Sequence, residues 1–406
     1  MKRLRSALLA LTLALGGSLA ATPALAVSIP TVPVGAAWGA NGNSTLGDGT
    51  ATQRLTYVGV GSLQNLAQVS GGSDHSLALT TAGTVFAWGS NAHGALGTGT
   101  GLNAASPVQV PGLSGITQVA AGFGHSLALA ANGTVWAWGD NVDGDLGDGA
   151  TVQRNVPVPV PGLTGITQIS AGYAWSLALR SDGTVWAWGD NFYDELGNST
   201  LPYSASAIQV SGLSSVSAIS AGEAFGMAIE ATRTIGYKGS VVVHSVWTWG
   251  QDSEGEIGNG SIVDPESGGG VASPVHVAGI PDAAGIAAGD DFGAVLGSDG
   301  SVWGWGVGDN GVLGPAHIGI SLVPVQVMSP GSTITQISAG DAHVLALESS
   351  GTVLAWGANY DGQLGDGSTA FTSTPAQVTG LTGVSQVDAA ENYSLAVHRT
   401  VVAVGK

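Results

Sequence analysis

The chain has 406 residues, of which 66 are glycine and none cysteine; charged residues make up 9% of it and the formal net charge is -18. So apolar and glycine-rich a composition excludes a disordered polyanion, and the lack of cysteine excludes a disulfide scaffold. The acidity disfavours nucleic acid and anionic membrane surfaces, and favours cations or basic partners.

In chain order, Met1 to Ala26 carries Lys2, Arg3 and Arg5, an apolar run from Ala7 to Leu15, and small residues ending in Ala24-Leu25-Ala26. This is the three-part pattern of a cleavable secretory signal. The apolar run is shorter than the roughly 20 residues that span a bilayer, so no membrane insertion is expected. Val27 is the expected first mature residue, and the mature protein is expected to be secreted, extracellular or periplasmic. Removing the segment takes away three of the ten basic residues and none of the 28 acidic ones, which leaves 21 net negative charges.

Residues 27–406 read as one domain of repeats. A Trp-Gly pair recurs at Trp38, Trp88, Trp138, Trp188, Trp249, Trp305 and Trp356, spaced by 50, 50, 50, 61, 56 and 51 residues. Each copy carries a Leu-Gly or Ile-Gly turn, as at Leu146 and Ile257, and a decayed eighth copy, Val401 to Gly405, closes the chain. Within one unit the predicted strands are Ile116 to Ala120, Ser126 to Ala130, Thr134 to Trp138 and Pro157 to Val160. These are short, β-branched or alternating runs bounded by Gly, Asn and Asp. Prolines such as Pro107, Pro157, Pro274, Pro324 and Pro375 fall only in the fourth strand, where an outer edge tolerates a missing N–H.

Four antiparallel strands repeated every 50 residues or so predict an all-β fold, a seven-bladed β-propeller. Ala and Gly on the first strand suit the crowded axis, and Trp136 and Trp138 on the third suit the widening gap between blades. A sandwich stack or a parallel β-solenoid is the structural alternative, although a solenoid coil is shorter, at roughly 20 to 30 residues. Counting from Ala67, six blades are complete. The seventh is expected to take Gln386–Ala389, Tyr393–Val397 and Thr400–Val404 from the C-terminus and Thr56–Val60 as its fourth strand, so that both chain ends share a blade. Ala36-Ala37-Trp38 is then one third strand too many, and either displaces the decayed copy or lies against it.

The stretches AGFGHSLAL, GTVWAWG and NVDGDLGDG resemble the regulator of chromosome condensation repeat family, over Ala36 to Lys406. The resemblance implies a seven-bladed propeller. Family members include a chromatin-bound regulator of a nuclear GTPase and secreted bacterial inhibitors of β-lactamases, and the export signal suits the secreted type. In those inhibitors the resemblance places aromatic side chains on the loop after the first strand. Here only Phe123 and Tyr173 of the seven loop pairs are aromatic, and the rest include Glu223-Ala224, Asp290-Asp291, Asp341-Ala342 and Glu391-Asn392.

Strand alternation puts the loops after the first and third strands on one rim, and 20 of the 28 acidic residues sort to that face. The Asn and Asp of Asn-x-x-Gly-x-Leu-Gly serve the turn itself. Asp194-Glu195, Glu254-Gly255-Glu256 and Asp290-Asp291 exceed that requirement. With Phe123, Tyr173, Phe192, Tyr193 and Tyr360 beside them, Asp194, Glu254, Glu256, Asp290 and Asp291 predict a docking surface for a basic protein or peptide. The insertion Ala231 to Val242, with Arg233 and Lys238, is either a second contact on the opposite face or a tolerated lengthening.

The Asp143-Gly144-Asp145-Leu146-Gly147-Asp148-Gly149 turn offers clustered oxygens but departs from a calcium loop at Leu146. No metal or cofactor is expected. His75, His125 and His343 share a repeat position with Trp175, Phe225, Phe292 and Tyr393, which marks ring packing rather than proton transfer. No catalytic constellation is present, so the expectation is a monomeric, non-enzymatic recognition platform. The other readings are a secreted inhibitor of the β-lactamase-inhibiting type, a hydrolase using top-face carboxylates, and a structural module of the cell surface.

Overall fold

The computed structural model describes residues 31–198, 200–236, 239–264 and 270–401. The described residues form 28 strands in seven four-stranded antiparallel sheets, the blades of a propeller. The proposed signal segment, Lys238 and the end of the decayed C-terminal copy lie outside the described residues.

Blade 1 holds β3 (Leu66–Gly71), β4 (His75–Thr80), β5 (Val85–Gly89) and β6 (Ala104–Gln109), paired in that order. Blades 2 to 6 repeat the plan over residues 116–159, 166–209, 216–276, 283–328 and 334–377. Blade 7 is closed two by two. Its inner strands are β27 (Val384–Ala389) and β28 (Tyr393–Val401), and its outer strands are β1 (Thr31–Gly39) and β2 (Arg54–Gln64).

This replaces the three-plus-one closure by the displacement that the sequence left open as an alternative. β1 takes the third position, paired with β28 in unbroken register from Thr31 opposite Val401 to Gly39 opposite Tyr393. The physical reason is Trp38, fully buried and bonded through Nε1 to the Gln363 carbonyl of blade 6 at 2.8 Å. The C-terminal copy has no tryptophan with which to make that contact.

Every blade makes the same bond. Trp88 and Trp138 donate to the carbonyls of Thr45 and Ala95, Trp188 to Asp145, Trp249 to Glu195, Trp305 to Glu256 and Trp356 to Val312. Each indole thus docks on the turn of the preceding blade. Glycine is needed there: Gly97 has φ +64°, and a Cβ on it would lie 2.7 Å from Trp138 Nε1. The core is accordingly a set of clusters, each between two blades, as where Leu77, Val85 and Leu96 of blade 1 meet Val119, Ala128 and Trp138 of blade 2.

The buried asparagines fix the turns. Asn141 Oδ1 accepts the Leu146 N–H at 3.0 Å while its Nδ2 donates to the carbonyls of Ala150 and Val152. The insertion in blade 4 lengthens β16 (Phe225–Gly236) and β17 (Gly239–Gly250) into a two-stranded ribbon, in register out to Gly236 opposite Gly239.

Candidate functional site

The innermost strands converge on an axial channel, and the loop after each one forms its mouth. Close approach is possible because glycine follows the strand in blades 1 to 6, with Ala390 in blade 7: a Cβ on Gly172 would lie 2.5 Å from the Gly222 carbonyl oxygen of the next blade. The following residue of each blade borders the channel mouth: Ser73, Phe123, Tyr173, Glu223, Asp290, Asp341 and Glu391. Backbone bonds run around this ring, from Phe123 N to Gly172 O, Tyr173 N to Glu223 O and Asp341 N to Glu391 O.

The ring is divided by chemistry. Blades 2 and 3 contribute Phe123 and Tyr173, whose rings stack with centroids 4.0 Å apart and planes inclined by 26°. Blades 4 to 7 contribute four successive carboxylates, and the Ser73 hydroxyl donates to Glu391. Burial, then the charges of Asp291, Asp341 and Glu391, raises the Glu223 carboxyl above the usual range. Burial, then Glu391 and Asp291, pushes Asp341 up to about 6. Asp291, just outside the ring, is raised by burial and then by Glu254.

Below the mouth the channel wall is stitched laterally. Gln118 Nε2 donates to the Ile169 carbonyl at 3.0 Å, and its Oε1 accepts the Ile169 N–H at 2.9 Å. Gln68, Gln168, Gln336 and Gln386 make the same pair of bonds to Val119, Ile219, Val387 and Val69. A second row uses hydroxyls: Ser70, Ser170, Ser220 and Ser338 accept the N–H of Ala121, Ala221, Ala288 and Ala389. In blade 7 that position is Asp388, whose Oδ2 accepts the Gly71 N–H at 2.7 Å; burial pushes its carboxyl up to about 7. Blade 5 has Gly285 and Ala287 in the two rows and makes neither bond to blade 6.

Of the residues singled out from the sequence, Phe123, Tyr173 and Asp290 meet at the mouth, with Asp291 and Glu254 beside them. Tyr193 and exposed Phe192 sit edge to face beyond them, and Asp194 takes a positive φ of 66° in the same turn. Tyr360 is exposed, its hydroxyl 2.9 Å from Asn310 Oδ1. Arg233 is exposed on the ribbon, at the end of the blade away from the mouth.

Glu256 is not part of the surface. It is fully buried, because its carboxylate folds back to accept the Glu254 N–H at 2.7 Å. Burial pushes it up to about 7, and Glu195 and Asp145 at the same repeat position up to about 8. Sequence reasoning placed Glu223, Asp341 and Glu391 in the loop register of Phe123 and Tyr173 but left them out of the docking surface, and it missed Asp388, whose signal was that it replaces a serine.

The three histidines are buried packing groups, as their repeat position predicted. Each bonds across a blade boundary: His75, His125 and His343 Nε2 lie 2.8, 2.9 and 2.9 Å from the hydroxyls of Ser126, Ser176 and Ser394. Burial holds His125 down to about 4 and the other two down to about 3. In the acidic turn of blade 2, Asp148 is bonded by Asn141, the Ala150 N–H and Arg154, so its oxygens serve the turn. Among the described residues, the carboxylates that converge as cation ligands are Glu223, Asp290 and Asp291, whose oxygens lie within 4.8 Å of one another. Among the same residues no helix is long and apolar enough to cross a membrane.

A ring of seven four-stranded blades, each bound to the next by an indole and five of them by a glutamine, defines the class: a repeat propeller with loops gathered around one axial mouth. Comparison with known proteins gives the family. Residues 35–267 match the RCC1-like domain, and residues 299–347 and 350–397 match the regulator of chromosome condensation (RCC1) repeat. The chain belongs to that family. It is similar to the Arabidopsis thaliana RCC1 domain-containing protein RUG3, mitochondrial, with 34% identity over 139 residues, covering 34% of this chain and 31% of the relative. The match therefore spans under a third of that relative's length. Among solved structures the fold is similar to Prp20p of Saccharomyces cerevisiae (TM-score 0.78, 23% identity, 92% of each chain), described with its binding to Gsp1p and histones. It is also similar to human WBSCR16 (TM-score 0.78, 19% identity, 91% of this chain and 100% of that one).

Proposed function

We propose that this chain is an exported, non-enzymatic recognition platform that binds a basic protein or peptide through the acidic mouth of the propeller. The observation that carries this reading is the division of the mouth into a stacked aromatic pair and four successive carboxylates. Carboxylates gathered this closely raise one another's affinity for protons and for any other cation. The adjoining rings supply the rigid, desolvating contact that protein interfaces use as anchors. Export follows from the N-terminal basic, apolar and small-residue pattern. The rigid backbone ring suits lock-and-key recognition more than closure around a substrate.

The test is recovery of partners from culture medium on immobilised propeller. A basic protein or peptide is expected, held at low salt and released at high salt as a charge-driven contact requires. Neutralising Asp290, Asp291 and Glu254 together is expected to abolish the capture. Capture that survives both high salt and this triple change would overturn the proposal.

A further inference from the structure

The channel below the mouth is a cavity of about 760 Å3, within the size of pockets that enclose small ligands or inserted side chains. Its acidity exceeds what the fold uses. Four blades bond their neighbour through a neutral serine hydroxyl at the position where Asp388 stands, so the Gly71 bond does not require a carboxylate. Asp388 therefore adds a carboxyl group that borders the cavity without being needed by the wall. At the mouth, Ser73, Phe123 and Tyr173 show that the ring position needs no charge either. Among the described residues bordering the cavity there is no lysine or arginine to neutralise these acids. Facing them, the stacked Phe123 and Tyr173 rings offer an apolar flank with Tyr173 45% exposed.

An occupant that meets all of this has a compact cation at the end of a slender apolar stem. Resting on the recognition role proposed above, we infer that the axial cavity takes a lysine side chain of the bound peptide. Its methylenes lie along the Phe123–Tyr173 pair and its ammonium sits among Asp341, Glu391 and Asp388. An ammonium suits carboxylates carried on separate strands of one cavity because its three donors rotate freely, whereas a guanidinium favours one coplanar carboxylate. The aromatic faces add cation–π attraction as the charge passes them.

The test is calorimetric titration of the purified full chain with a pentalysine peptide. Asp388→Ser, which installs the residue other blades use, and Asp341→Asn are each expected to weaken binding roughly tenfold, as loss of an enclosed charge partner does. Asp309→Asn, a neutralisation at an exposed residue that does not border the cavity, is expected to leave affinity within about twofold. Thermal melts of the variants confirm that each is folded. Unchanged affinity in Asp388→Ser and Asp341→Asn would overturn the cavity site. If Asp291→Asn and Glu254→Gln still weaken binding in that case, the acidic-face role survives alone; if they do not, both fail. Equal, equally sensitive binding of pentaarginine would overturn the choice of lysine. Displacement of the peptide by calcium chloride, lost in Asp290→Asn, would replace the side chain by a metal ion at Glu223, Asp290 and Asp291.

Discussion

Glu256 shows how one repeat position can serve turn or surface. In blade 6 the same position is Gln363, whose Oε1 accepts the Asp361 N–H at 2.9 Å and whose Nε2 reaches Asn392 of blade 7 at 3.4 Å. Glu256 makes the first bond with a carboxylate, and the blade 5 residue in the Asn392 register is acidic Asp291. Glu256→Gln is therefore expected to keep the turn and convert a repulsion into a hydrogen bond. The sign follows from the raised carboxyl. Folding favours the protonated form, so this contribution is fully present below the unfolded value of about 4.5 and is lost as pH rises through about 7. Thermal melts should show the variant more stable than the wild type by about 1 to 3 kcal/mol at about pH 9, with little difference at about pH 4. A variant less stable at the higher pH would disprove the assignment. The histidine position was legible because seven copies exchange His, Trp, Phe and Tyr. The burial of Glu256 was not, because Glu-Gly-Glu reads as surface charge until the turn bends its second carboxylate inward.

At the scale of elements, strand positions were legible to within a few residues, since turn glycines bracket every run. The outer strands differ most: β10 is Arg154–Pro159 rather than Pro157 to Val160. A bulge lets Arg154 pair with Gly139, where its guanidinium also meets Asp148. The lateral stitching of the inner strands was invisible, because a glutamine on a short strand gives no hint that it bonds a backbone 51 residues away. Its absence between blades 5 and 6 makes that boundary the least tied. Ala287→Ser is expected to place a hydroxyl against the Ala339 N–H, as Ser220 does for Ala288, and to stabilise the protein by about 1 kcal/mol. Gln118→Ala should cost about 1 to 3 kcal/mol, since two bonds go and an Ile169 carbonyl and N–H lose their partners. Denaturant midpoints at constant slope check both.

For the whole molecule the decisive feature is closure. A repeat array normally tolerates losing an end unit, because each unit contacts only its neighbours. A ring does not, since the last blade touches the first. Here Trp38 is buried against Leu364 and Val378 of blade 6, while Leu395 and Val397 of β28 pack on Leu66 and Val69 of blade 1. The seven-blade count was legible from the tryptophan spacing; the two-by-two closure was legible only as one of two alternatives, because strand patterning places two segments in the third position and does not show that the Trp38 indole reaches the Gln363 carbonyl of blade 6. Deleting residues 1–64 would remove β1 and β2, strip blade 6 of its Trp38 contact and leave β28 with an unpaired edge. Such an edge pairs with other chains. The truncated protein is expected to lose its cooperative melt and to elute as oligomers. Adding back a separate chain carrying residues 27–64 should restore a monomer-sized complex, measured by size-exclusion chromatography and circular dichroism. A truncated chain that melts cooperatively as a monomer would show that six and a half blades suffice, and that the shared blade orders the chain ends without holding the ring.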